Sequence, residues 1–267
     1  MNKAHTGVLL IITLALIGIS VYSDITLSNL KKETAVIRTE LEEAREIRIS
    51  EENKLEANPL YQKYKGVSVC IDAGHGITKR SEKEPVSPGS ETLKATNVNG
   101  AAGEEEFNLA VALLVEEKLK SSGVTTDMIR TSHECDKSNL ERAEQANNSD
   151  YCIRIHADGN NNASVNGISV LIPEKSYFDG VDFADESKQM AECILAETIA
   201  VTGAKNNGLI VRGDLTGFNW SKVPVILIKC GFLSNPEEKA KLQSTEYQKK
   251  IAEGIADGFL KYIRSNK

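Results

Sequence analysis

The sequence predicts an α/β domain built around a largely parallel sheet, and three observations carry that expectation. Short apolar runs, "GVSVCIDAG", "DYCIRIHADG", "GISVLI" and "PVILIKCGF", have the length and β-branched content of strands. Stretches of helical period, such as "FNLAVALLVEEKLKSSG", separate them, and strands alternating with helices call for crossover connections between parallel neighbours. With 40% hydrophobic and 26% charged residues in a chain of 267, there is material for one substantial core plus appendages.

The N-terminal elements differ from that body. From Gly7 to Ser23, "GVLLIITLALIGISVYS" is a run of 17 residues without charge, at the short end of what crosses a hydrocarbon core as a helix. Lys3 precedes it and Asp24 follows, so the charge bias predicts a single-pass transmembrane anchor over residues 1–23, with the amino terminus cytoplasmic and the rest exported. The alternative is a cleaved signal peptide and a secreted chain, although no A-x-A site precedes Asp24. Residues 24–58 read as a helical stalk, free of Gly and Pro and mixing acidic with basic residues. Leu27, Leu30, Thr34, Ile37, Leu41 and Ala44 occupy heptad a and d positions. So short a run suits a solvated single helix or a weak dimer through the stalk. Asn58-Pro59 ends it, and residues 59–267 form the main domain.

Within that domain the order is readable. "GVSVCIDAG" is a strand running into a Gly turn; the amphipathic helix from Phe107 ends at Gly123; "VTTDMIRT" is a second strand. A polar helix over about residues 138–147 leads to "DYCIRIHADG" and "GISVLI". A helix over about 182–202, the strand "PVILIKCGF" and a last helix over about 246–263 complete the chain. "ITKRSEKEPVSPGSETLKATNVNGAAG" and "RGDLTGFNWSKVP" read as surface loops, with Trp220 either packing or stacking on a ligand.

A net charge of −6 without a dense Lys/Arg stripe argues against nucleic acid as a partner. The cysteines Cys70, Cys135, Cys152, Cys193 and Cys230 show no CxxC spacing and read as buried small hydrophobes.

In parallel sheets, chemistry gathers beyond the carboxyl ends of the strands. His75 closes "VCIDAGHG" and His156 closes "CIRIHADG", so two histidines occupy equivalent strand ends, which favours a shared ligand. Hydrolytic zinc takes three His or carboxylate ligands and leaves a position for water. "GEEEFNLAVALL" offers Glu104, Glu105 and Glu106 at a helix mouth. Periodicity does not distinguish them, and the helix dipole alone favours acids there. His133 reads as solvated, and Asp72 and Arg142 as structural. Lys229 is the anomaly: a charge inside an apolar strand needs a partner or a task.

"SVCIDAGHG", "EEEFNLAVALLVEEKL", "ERAEQANNSDYCIRIHADG" and "VPVILIKCGFLSNPEEKAKL", in that order from about Val67 to the C-terminus, resemble the zinc-dependent N-acetylmuramoyl-L-alanine amidases of the Amidase_3 type, which are cell-wall hydrolases. The resemblance implies a mixed six-stranded sheet with helices on both faces. It also implies a Zn2+ held by His75, Glu104 and His156, Glu104 being selected because the family's ligand stands four residues before the Asn-Leu of the helix. The implied reaction hydrolyses the amide between the lactyl group of N-acetylmuramic acid and L-alanine in peptidoglycan. The anchor over residues 7–23 would then set the domain against the cell wall.

One residue departs from the family pattern. Where "V-E-x-G-F" carries a general-base Glu, this chain has Lys229. A protonated lysine accepts no proton and repels a nearby cation. Lys229 therefore implies an intact scaffold with impaired catalysis, a neutral lysine acting as base, or a non-catalytic peptidoglycan-binding or regulatory module. A lysine snorkelling from an edge strand is the purely structural reading.

Overall fold

The computed structural model describes residues 3–96 and 100–266. They divide into two units, Met1–Asn58 and Pro59–Lys267.

The first unit is a helix, α1 (Lys3–Glu56), of 54 residues. Between Ile25 and Glu56 no Gly or Pro interrupts propagation, and the helix stops just before Asn58-Pro59. Every side chain from Ile25 to Ser50 is exposed. The expected membrane anchor is corrected here: among the described residues, no helix is long and apolar enough to cross a membrane. The side chains of residues 7–21 of the uncharged run lie outside the described residues. The membrane-anchored, wall-facing localisation built on that segment is overturned with it.

The second unit begins with a short helix, α2 (Pro59–Tyr64), and the first strand, β1 (Ser68–Ala73). The sheet has six strands in the order β4-β1-β5-β8-β6-β7, comprising β1, β4 (Thr125–Met128), β5 (Tyr151–Asp158), β6 (Ile168–Pro173), β7 (Asn206–Arg212) and β8 (Val225–Phe232). β1 pairs in parallel with β4 and β5, and β5 with β8; β6 runs antiparallel to β8 and parallel to β7. The sheet is thus mixed and mostly parallel.

Alternation along the strands gives the two faces different work. Val69, Ile71 and Ala73 of β1, Ile153 and Ile155 of β5, and Ile226 and Ile228 of β8 join the main core. The same core takes residues from helices α3 (Glu104–Ser121), α5 (Ala184–Thr202) and α8 (Thr245–Asn266). On the opposite face, Cys70, Cys152, Val225 and Leu227 form a smaller cluster with Ala146 of α4 (Asn139–Ala146) and Phe218 of α6 (Thr216–Asn219). Four cysteines, Cys70, Cys135, Cys152 and Cys230, are buried free thiols, and Cys193 is half-buried. The polar helix α4 starts with a capping box in which Ser138 and Glu141 satisfy each other's backbone N–H groups.

Two segments depart from the loop reading. The stretch after His75 contains an antiparallel hairpin of β2 (Lys83–Pro85) and β3 (Leu93–Ala95). It is held by hydrogen bonds from the Trp220 indole to Pro85 O (3.0 Å), from Asn219 to Val86 O (3.0 Å) and from Leu140 N to the buried Glu84 carboxylate (2.9 Å). Trp220 therefore packs and anchors. The second segment, "RGDLTGFNWSKVP", contains α6; "NNGLIVR", to which the sequence assigned no element, is the edge strand β7, and a further short helix, α7 (Pro236–Leu242), follows β8.

Helices α5 and α8 approach so closely that a Cβ at Gly258 would lie 2.4 Å from Ile194 Cα. Gly258→Ala gains about 1 kcal/mol of helix propensity, but overpacking against backbone costs about 1–3 kcal/mol. The net effect expected is a melting temperature lowered by a few degrees, read by thermal denaturation; an unchanged or raised value would show that the helices separate freely.

Candidate metal centre

Because β1 and β5 are parallel neighbours, with Ala73 opposite Ile155, their carboxyl ends coincide and bring His75 and His156 together. The two rings meet edge to face, 4.8 Å between centroids. Glu104, the first residue of α3, reaches between them: its Oε1 lies 3.1 Å from His75 Nε2 and 3.1 Å from His156 Nδ1. Its other oxygen accepts from Ala101 N at 2.8 Å. These three side chains form the metal-capable cluster found among the described residues, with donor atoms within 4.8 Å of one another.

The donor set fits a tetrahedral metal. Bonds of about 2.0–2.1 Å place adjacent tetrahedral donors roughly 3.4 Å apart, close to the two 3.1 Å separations to Glu104, while the donor set as a whole spans up to 4.8 Å. Burial lowers the His156 pKa despite its Glu104 partner, favouring the neutral imidazole that a metal requires. Burial alone would raise the Glu104 carboxyl, but hydrogen bonds from His156 and His75 hold it well below the usual range. His156 Nε2 is buried without a hydrogen-bond partner and sits against Gly74, where a Cβ would lie 2.2 Å from the ring. Gly100 closes the other side, since its Cβ would meet Glu104 Oε2 at 2.4 Å. Glu105 and Glu106 do not join the cluster; Glu105 instead pairs with the exposed His133 at 3.1 Å.

The turn carrying His75 is strained and heavily braced. Among the described residues, His75 is the non-glycine residue with positive φ, 61°, a conformation costing on the order of 1–3 kcal/mol. Arg142 donates to His75 O at 2.7 Å. Arg130 donates to Ala73 O at 2.8 Å and Gly74 O at 2.9 Å, and Asn108 adds a bond to Gly74 O at 3.0 Å while accepting from Ala157 N at 2.9 Å. Behind the turn, buried Asp72 accepts from Arg142 at 2.6 Å and from Arg154 at 2.8 Å. Burial would raise the Asp72 carboxyl, yet the Arg142 and Arg154 guanidiniums outweigh it and hold it far below the carboxylate range.

Lys229 lies opposite His156 in the β5–β8 register, and its ammonium donates to Asp158 Oδ2. β8 is interior, between β5 and β6, so the snorkelling-edge reading is corrected: the side chain is 26% exposed and satisfied by a carboxylate. A concavity of about 430 Å³ is lined by His75, Glu104, His156, Asp158, Arg212 and Lys229. A second, about 380 Å³, shares the two histidines and extends past Arg142 and Arg154 toward Lys94 and Asp214, which form a 3.0 Å ion pair.

The structure thus brings together His75, Glu104, His156 and Lys229. Sequence reasoning missed Arg130, Arg154 and Asn108. Arg154 carried the same signal as Lys229, a charge inside an apolar strand, and Asn108 is a polar residue within the apolar stripe of α3.

Residues 69–261, well over half of the chain, match the Amidase_3 family model, described as N-acetylmuramoyl-L-alanine amidase. The chain is 30% identical over 210 residues to the N-acetylmuramoyl-L-alanine amidase LytC of Bacillus subtilis, covering 78% of this chain and 38% of LytC. It is 24% identical over 212 residues to the probable cell wall amidase LytH of Staphylococcus aureus, covering 79% of this chain and 62% of LytH. The chain therefore spans less than two thirds of either relative. Among solved structures, the N-acetylmuramyl-L-alanine amidase Ami1 of Mycobacterium smegmatis superposes with a TM-score of 0.68 at 26% identity, over 76% of this chain and 99% of Ami1.

The depressed Asp72 carboxyl sets a pH dependence. Its contribution to stability is full above the unfolded value of about 3.9 and is lost as pH falls toward the folded value. Asp72→Asn, which leaves two buried guanidiniums short of a counter-charge, should cost about 3–5 kcal/mol at neutral pH and flatten the acid limb below pH ~4. Denaturant titrations at several pH values read both, and an unchanged acid limb would place the titrating group elsewhere.

Proposed function

This chain belongs to the Amidase_3 family of N-acetylmuramoyl-L-alanine amidases, and from that premise we propose that it acts on peptidoglycan, hydrolysing the amide between the lactyl group of N-acetylmuramic acid and L-alanine of the stem peptide, with zinc held by His75, Glu104 and His156. The observation that carries this reading is the His-Glu-His cluster at the floor of a concavity, with one ring nitrogen buried and unpartnered. When bound, the zinc supplies Lewis acidity at the scissile carbonyl and activation of water near neutral pH.

The chain's own residues supply the frame. Glu104 contributes the anionic ligand, and its bond from Ala101 N fixes which oxygen faces the histidines. Burial lowers the His156 pKa and so favours the neutral ring that can ligate. Arg130, Arg142 and Asn108 hold the His75 turn in its strained form, so the donors are in place before a metal arrives. Asp158 and Lys229 face the same concavity as an ion pair, presenting an ammonium where the family carries its base.

That ion pair favours a second reading, a domain that binds wall peptides with slowed turnover, because a paired ammonium offers no lone pair for a proton. Zinc content and stem-peptide release from purified peptidoglycan, measured together, separate the two. His75→Ala should lose both zinc and release; retention of either overturns the cluster's role. Lys229→Glu, combined with Asp158→Asn to avoid setting two carboxylates together, should keep zinc and raise release by about 10²- to 10⁴-fold. A parent protein as fast as that variant would instead show that Lys229 does not limit the reaction.

A further inference from the structure

Helix α1 presents an apolar stripe from Leu27 to Ala44. Leu27, Leu30, Ile37 and Leu41 are 52%, 54%, 63% and 69% exposed, far more than large aliphatic side chains on a partnered helix. With Thr34 and Ala44 they fill successive heptad a and d positions of one uninterrupted helix. The exposed stripe alone does not identify its occupant. The charges beside it do.

In the register set by Leu27 at a and Leu30 at d, the e positions are Lys31, Arg38 and Arg45, all basic. The g positions Glu33 and Glu40 are both acidic. In a parallel two-stranded coil a g residue faces the e residue of the partner's following heptad, so Glu33 meets Arg38 and Glu40 meets Arg45, on both sides of the seam. In an antiparallel pair g faces g and e faces e, setting glutamates against glutamates and arginines against arginines. The same charges therefore reward one arrangement and penalise its reverse. A basic or acidic helix matches one flank at a time, whereas a second copy of this chain supplies both complementary flanks in register with the same apolar residues.

We propose that residues 27–45 of α1 form a parallel, in-register two-stranded coiled coil with a second copy of this chain, with Glu33 and Glu40 of each copy paired to Arg38 and Arg45 of the other. Both copies then leave the coil at the same end, at Asn58, carrying two Pro59–Lys267 units whose joint engagement of a repetitive polymer gains from effective concentration. With fewer than three heptads, the pairing is reversible and concentration-dependent.

The test uses the full chain. Sedimentation over a concentration series should show a monomer–dimer equilibrium. Glu33→Lys with Glu40→Lys should raise its dissociation constant about tenfold or more, as should Arg38→Glu with Arg45→Glu, and an equimolar mixture of the two variants should restore association. Circular dichroism confirms that α1 stays helical in each. Orientation is read by mild oxidation of Leu30→Cys and Ala44→Cys, made separately, since d residues face their own copies at both positions in a parallel coil. The unsubstituted chain is the control, because four of its thiols are buried and Cys193 is half-buried. Both variants should link. Linking at one position or neither, a monomer at all concentrations, or an association the charge variants leave untouched, as the apolar run before Asp24 would give, overturns the proposal.

Discussion

A carboxylate held between two buried guanidiniums underlies the geometry of the site. Asp72 takes one bond from Arg142 and another from Arg154, and all three side chains are nearly inaccessible to water. Each cation is then free to spend its remaining donors elsewhere. Arg142 holds the carbonyl of His75, and Arg154 reaches Asn139 at the start of α4 at 3.1 Å. Without the central charge, these bonds would be made by unneutralised cations in a low-dielectric interior, which desolvation opposes strongly. The strained backbone of His75 thus depends on an ion pair three residues upstream that never faces the metal position itself. Such bracing gives precision, because a ligand in an uncommon conformation persists only when its surroundings over-determine it.

The main core lies on one sheet face and the polar residues of the site on the other. One face is aliphatic and packs against α3, α5 and α8, where the main core sits. The other carries Asp72, Arg154, His156 and Lys229, each offset by one residue from a core isoleucine or cysteine. Period-two alternation makes this separation possible, since changes on the polar face leave the main core untouched. Glu104 is the exception: it comes from a core helix, and it reaches the site because it lies at the helix's first turn, beyond the edge of the packed layer. That first turn also places its carboxylate in the favourable field of the helix N-terminus.

Much of this was legible in the sequence, and the limits have physical causes. The interior strands β1, β5, β6 and β8 were read correctly because burial on both faces demands continuous apolar runs. β7 was not read: as an edge strand with several exposed positions and Gly208, it lacks that signature. The β2–β3 hairpin was invisible because its stability comes from tertiary hydrogen bonds to Trp220, Asn219 and Leu140 rather than from its own composition. The histidines were located by their equivalent strand ends, whereas Glu104 could be separated from Glu105 and Glu106 only through resemblance; the structure shows the geometric distinction, with Glu105 turned toward His133.

The lysine that looks misplaced in sequence is compensated in structure. A buried or half-buried cation without a partner would be costly, and beside a metal position it would also oppose binding. Asp158, two residues beyond His156, supplies the counter-charge across the strand register. Seen from the metal position, Asp158 and Lys229 together carry no net charge, so the electrostatic penalty on metal binding is far smaller than a lone ammonium would impose. The Asp158 carboxylate on the neighbouring strand is what lets position 229 hold a lysine beside the His75, Glu104 and His156 cluster.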